Sequence, residues 1–175
     1  MDLNINNVIN ISVAQAGQGV GQYNTSNLAI FSHETPDPVF ADGFKIYLEP
    51  SEVGVDFGTD SVTYKMALAV FSQQPNILAN GGYLVVIPLL VDETIGEAVS
   101  RTSGMVQYFG ILSSQVAPAE AELLDDAAVV QTLNKLMFVV SKTASDVDPD
   151  EKLDLIQQGG FTHTRALYYG GSTDL

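Results

Sequence analysis

Cysteine is missing from all 175 residues. That excludes disulfides, thiolate metal centres and a cysteine nucleophile, and it agrees with folding in a reducing cytosol. Positive charge is scarce: 7 Lys and Arg stand against 21 Asp and Glu, a formal charge of −14. So acidic a surface repels phosphate backbones and anionic lipid, so neither nucleic acid nor direct membrane insertion is expected. Long apolar runs are lacking too. The longest, Tyr83 to Val91, is interrupted by Pro88 and is far too short to span a bilayer; Met1-Asp2 begins no cationic leader, so no standard secretion signal is expected.

What is present suits one domain with a sizeable core, since 46% of the residues are hydrophobic. The opening "LNINNVINISVA" alternates. Leu3, Ile5, Ile9, Ile11 and Val13 fall on one face of an extended strand, with Asn4, Asn6, Asn10 and Ser12 on the other. The glycine-rich "QAGQGVGQYNTSN" separates this segment from the rest, which divides the chain into an extended arm and hinge over 1–22 and a single α/β domain over 23–175. An alternating strand outside the βα rhythm either lies on its own sheet edge or extends another molecule's sheet.

Beyond the hinge, "LAIFS", "FKIYL", "GGYLVVIPLL", "QYFGILSS", "LMFVVS" and "RALYY" read as strands. Between them, "PSEVGVDFG" forms a short acid-capped segment. Asp60 can cap a helix that buries Val62, Met66, Ala69 and Val70 and stops at Pro75, and Asp92 can cap one with Ile95, Val99 and Thr102 on a face and Gly104 as terminator. "APAEAELLDDAAVVQTLNKL" reads as one interrupted helix or two, and "EKLDLIQQ" as another. This alternation predicts an α/β fold, a mostly parallel open sheet with helices on both faces.

The chemical constellations are weak. "AGQGVGQ" has Gly17, Gly19 and Gly21, but Gln22 stands where the last glycine of a dinucleotide fingerprint belongs and no helix follows, so the segment reads as a hinge. Asp146, Asp148 and Asp150 are spaced like the start of a calcium loop, yet its glycine and glutamate positions hold Glu151 and Gln157. A solvated loop whose acids favour the next helix N-terminus is the plainer reading. His33 lies between Ser32 and Glu34, but adjacent strand residues point to opposite faces and no G-x-S-x-G elbow exists. His33 therefore reads as a surface histidine. His163 lies in a strand approach, where Arg165 could pair with nearby acids. Neither histidine has a second at metal-ligand spacing, and no cofactor, metal or catalytic residue is assigned. Residues after a strand in an open sheet should be polar if chemistry happens there. After Ile87 they are Pro88, Leu89, Leu90 and Val91.

The ordered set "NINNVINISV", "YNTSNLAIFS", "YKMALAVFSQQPN", "GGYLVVIPLL", "VQYFGI", "LNKLMFVVS" and "LDLIQQGGFTHTRALYYG" resembles the bacteriophage and prophage sheath proteins of contractile tails, from Leu3 to about Gly170. The resemblance implies a non-enzymatic virion structural subunit, made in the bacterial cytoplasm and located in the virion tail. Its partners would be other copies of the sheath subunit and the tail tube protein. It also implies that Leu3, Ile5, Ile9, Ile11 and Val13 form a self-assembly arm that exchanges between subunits. Family members continue through a second half, so the chain is expected to be their N-terminal portion, a truncated prophage copy or an engineered fragment, and to be monomeric or weakly associated by itself. The alternative from the sheet alone is a small flavodoxin-like enzyme or ligand-binding protein, using the strand ends at Ser32-His33-Glu34, Ser113-Ser114 and Ser141-Lys142.

Overall fold

The computed structural model describes residues 24–170. The arm residues Leu3, Ile5, Ile9, Ile11 and Val13, and most of the hinge, lie outside them. Six strands form one sheet: β1 (Leu28–Ser32), β2 (Lys45–Tyr47), β3 (Leu84–Pro88), β4 (Gly110–Ser113), β5 (Leu136–Ser141) and β6 (Thr164–Tyr168). Their spatial order is β2-β3-β1-β4-β5-β6, and every neighbouring pair is parallel except β2 with β3. Without the antiparallel edge strand β2, the parallel strands follow the flavodoxin-like order 2-1-3-4-5.

Five α-helices accompany the sheet among the described residues: α1 (Pro50–Phe57), α2 (Val62–Phe71), α3 (Ile95–Thr102), α4 (Glu120–Thr132) and α5 (Lys152–Gln158). One face of the sheet packs on α3, α4 and α5 through Phe31, Ile87, Val99, Ile111, Leu123 and Ile156. The other face packs on α1 and α2 through Ile30, Val53, Ala67, Val70, Leu84 and Val86. Each fully buried large aliphatic contributes about 1.5 to 3 kcal/mol, so both layers carry weight.

The second layer covers only the β2-β3-β1 end. In-register pairing puts Ile30, Leu112 and Phe138 on the α1–α2 face, and Val140 and Leu167 form a pair on the same side. Ile30 is fully buried there, Leu112, Phe138 and Val140 are half-buried, and Leu167 is 55% exposed. Along β5, buried Met137, Val139 and Ser141 alternate with half-buried Leu136, Phe138 and Val140. The β5–β6 part of that face, with Phe138, Val140 and Leu167 and with Arg165 in register beside Phe138, thus lies open next to β6, itself an uncovered edge.

Local capping departs from the sequence expectations at two helices. Ser61, not Asp60, caps α2, its hydroxyl accepting the Tyr64 amide at 3.0 Å. The buried stripe is Thr63, Ala67, Val70 and Phe71, one position on from the expected Val62, Met66 and Ala69. Thr63 is drawn inward because its hydroxyl bonds both Ser32 at 2.7 Å and Glu34 at 2.5 Å. Likewise Thr94, not Asp92, caps α3, closing a reciprocal box with Glu97, while Asp92 sits in a left-handed turn at φ 59°. Gly104, at φ 84°, follows the end of α3 in the expected left-handed conformation. α4 is one uninterrupted helix.

Candidate functional site

In a sheet of this order the strand sequence reverses direction between β1 and β4, and a crevice opens beyond their carboxyl ends. A cleft of about 210 Å³ lies there, its lining including His33 after β1, Ser113 at the end of β4, Glu93 before α3 and Glu122 on α4. It joins two of the three strand-end clusters expected from sequence. Ser141 and Lys142 do not line it.

The Ser-His-Glu run is taken apart by its own geometry. Ser32 is fully buried, and its hydroxyl bonds Thr63. Glu34 turns to the start of α2, accepting the Val62 amide at 3.0 Å and the Thr63 amide at 2.8 Å. Partial burial opposes ionisation of Glu34, but the bonds from Thr63 and Val62 and the charge of Lys65 outweigh it and hold its pKa below the usual value. The carboxylate therefore serves the positive end of a helix. His33 is exposed and meets Ser114 twice. Its backbone amide donates to Ser114 Oγ at 3.0 Å, and its Nδ1 lies 3.3 Å from the same oxygen. Desolvation pushes the His33 pKa below 6.5, with Glu122 pulling the other way, so the ring is neutral near pH 7.

Glu93 at the cleft is held ionised. Burial works against it, but Arg101 grips it through Nε at 2.6 Å and Nη2 at 2.8 Å, and the Leu90 amide donates at 2.9 Å. The His163 ring meets only the neighbouring Thr162 hydroxyl, at 3.3 Å, among the hydrogen bonds of the described residues, and Arg165 enters none of their ion pairs. Asp146 corrects the expectation of a wholly solvated acidic loop. It is buried, accepts the Ser141 hydroxyl and lies 3.4 Å from Lys152 Nζ. Asp150 takes a left-handed turn at φ 63° and accepts Gln158 Nε2 at 3.1 Å. Among the described residues no trio of His, Cys, Asp or Glu is disposed to hold a metal ion, and no helix is long and apolar enough to cross a membrane.

Asp126 escaped the sequence reading. It is 2% exposed, and its Oδ1 accepts the Gly96 amide at 2.6 Å. The signal was in the pattern: on α4 the buried residues are Leu123, Asp126, Ala127 and Val130, an acid within an apolar stripe. Burial drives its pKa up to about 6, the Gly96 amide and Thr94 hydroxyl pull it down, and Glu122 and Asp125 raise it.

The fold defines a doubly wound α/β domain with a small polar cleft at its switch point. No protein-family model matches the sequence, and a search of curated proteins finds no significant match.

Proposed function

We propose that the chain is a structural, self-assembling subunit of a contractile phage tail sheath, or the N-terminal portion of one, joined around the tail tube by strand exchange. One observation carries this reading beyond the sequence resemblance: the sheet has an open edge with an uncovered apolar flank. Leu167, Tyr168 and Tyr169 are 55%, 45% and 50% exposed, with Phe138 and Val140 half-buried beside them. β6 has no proline or lysine, and Arg165 is the one charged residue that its edge carries. A strand added there satisfies the free backbone groups while its side chains flank Leu167. The alternating arm, with Leu3, Ile5, Ile9, Ile11 and Val13 on one face, has the pattern such a strand needs. Exposed Leu90 and Val91 after β3 also suit contact between subunits better than chemistry.

The test is the Ile9→Asp, Ile11→Asp double variant of the full-length subunit, expressed with its tube protein. Sheath assembly should be lost with thermal unfolding of the α/β domain unchanged. Unchanged assembly would reject the arm's role, and loss of the folded domain would place the strand in the domain's own core.

The switch-point cleft favours a second reading, binding of a small polar ligand by His33, Ser113 and Glu122. At about 210 Å³ it is below the roughly 300 to 1,000 Å³ of ordinary ligand pockets, so assembly stands first. A thermal shift with flavins or nucleotides that His33→Ala abolishes would reverse that order.

A further inference from the structure

Beside the open edge of β6, on the α5 side of the sheet, lies a cleft of about 370 Å³. Leu153, Ile156, Phe161 and Ala166 make up the apolar part of its lining, and Arg165 is the one charged residue there. Ala166 pairs in register with buried Val139 and packs, like Phe161, on the core layer that holds Ile156. Its amide and that of Tyr168 face the free edge. In a strand paired antiparallel to β6, the residue opposite Ala166 puts its side chain on the same face, over the cleft. Edge and cleft together therefore fit one kind of partner, an extended segment with large apolar side chains at alternate positions.

Charge and reach narrow the source of that segment. In a chain of formal charge −14, "LNINNVINISV" carries no charged residue, and its Ile9 and Ile11 stand two apart. Asn24 is anchored at the amino ends of the strands, its side-chain amide donating to the carbonyls of Gly81 at 3.0 Å and Asn80 at 3.3 Å, just before β3. From β3 the position beyond β6 is five strand spacings away, about 24 Å at roughly 4.8 Å each. The segment from Ala14 to Tyr23 spans up to about 33 Å when extended. It can cross under the sheet and deliver Val13 to the amino end of β6, so an arm of the same chain would run antiparallel to that strand.

We propose, resting on β6 as the strand acceptor argued above, that in the free chain its own arm occupies this edge, antiparallel to β6, with Ile9 and Ile11 over the α5 cleft. Docked so, the arm covers the acceptor edge and withholds itself from exchange, and a subunit stays single until a neighbour's arm displaces it. The short tether favours the chain's own arm, because it holds the local concentration near millimolar. An arm that has left the edge before the domain melts does not move the melt.

The test uses the full chain. It lacks cysteine, so Ser12→Cys or Asn6→Cys takes a nitroxide label at one site on the arm's polar face. In NMR spectra the Ser12→Cys label should broaden the Thr164 amide more than that of Tyr168, and the Asn6→Cys label should do the reverse. Adding Ile9→Asp and Ile11→Asp should restore both signals. Spin-labelled chains mixed with separately isotope-labelled ones should cause no broadening. Broadening in that mixture would overturn the proposal in favour of exchange between copies. A label that spares β6 in both samples, or the opposite order of the two positions, would overturn it as well. These spectra read the free chain alone, so the sheath reading stands or falls separately on the tubes formed with the tube protein.

Discussion

Asp126 on α4 reaches the second residue of α3 and accepts the Gly96 amide at 2.6 Å. The contact requires a glycine. A Cβ at position 96 would lie 2.8 Å from Asp126 Oδ1 and 3.3 Å from its Cα. Alanine is ordinarily the better helix former by about 1 kcal/mol, but here overpacking should win. Gly96→Ala is expected to destabilise the domain by about 1 to 3 kcal/mol in urea unfolding. A stabilised variant would show that the two helices separate freely.

The same carboxyl makes stability depend on pH. Its pKa is raised from 3.8 to about 6 in the native state, so between those values the folded protein binds more protons than the unfolded chain. Stability should fall as pH rises through that window and level off above it, a loss of about 3 kcal/mol at roughly 1.4 kcal/mol per unit. Asp126→Asn removes this contribution. Relative to the parent, the variant should gain stability from pH 4 to pH 7 in urea unfolding, whereas a constant difference would mean that Asp126 titrates normally.

His33 should titrate below 6.5 when its ring protons are followed by NMR. Burial lowers its pKa and Glu122 raises it, so Glu122→Gln should move it further down. A midpoint above 6.5, or a rise in the variant, would contradict the arrangement at the switch-point cleft.

On the other face, Asp56 accepts Lys45 Nζ at 2.6 Å and the fully buried Tyr47 hydroxyl at 2.5 Å. Asp56→Ala strands that hydroxyl and should cost about 2 to 4 kcal/mol, while Tyr47→Phe removes donor and need together and should cost about 1 to 2 kcal/mol. Thermal melts of both variants check the order, which fails if Tyr47→Phe is the more damaging.

β1 and β5 are bounded where "LAIFS" and "LMFVVS" stand in the sequence, because strands inside a parallel sheet are apolar runs whose ends are polar. The face of α2 was not legible, since Thr63 is buried through hydrogen bonds to Ser32 and Glu34 that join residues about thirty apart in the chain. The cap of α3 is ambiguous in the sequence for a local reason: Asp92 and Thr94 are both good cap residues, and the left-handed backbone at Asp92 decides between them. His33 could be read as exposed, but its contact with Ser114 depends on β1 and β4 being neighbours. The burial of Asp126 against Gly96 depends on the packing of α4 on α3 in the same way.

Edge pairing at β6 can be tested without disturbing the sheet behind it. Met137 donates to His163 and Tyr169 to Ser141, so the odd-numbered residues of this strand bond into β5 and the amide of Ala166 faces the open edge. Ala166→Pro therefore removes an outward donor and leaves the ladder to β5 intact. Electron microscopy of the full-length subunit expressed with its tube protein should reveal rings or tubes for the parent and none for Ala166→Pro, whose domain melts at the parent's temperature. Tubes formed equally by both proteins, or by neither, would contradict assembly through this edge.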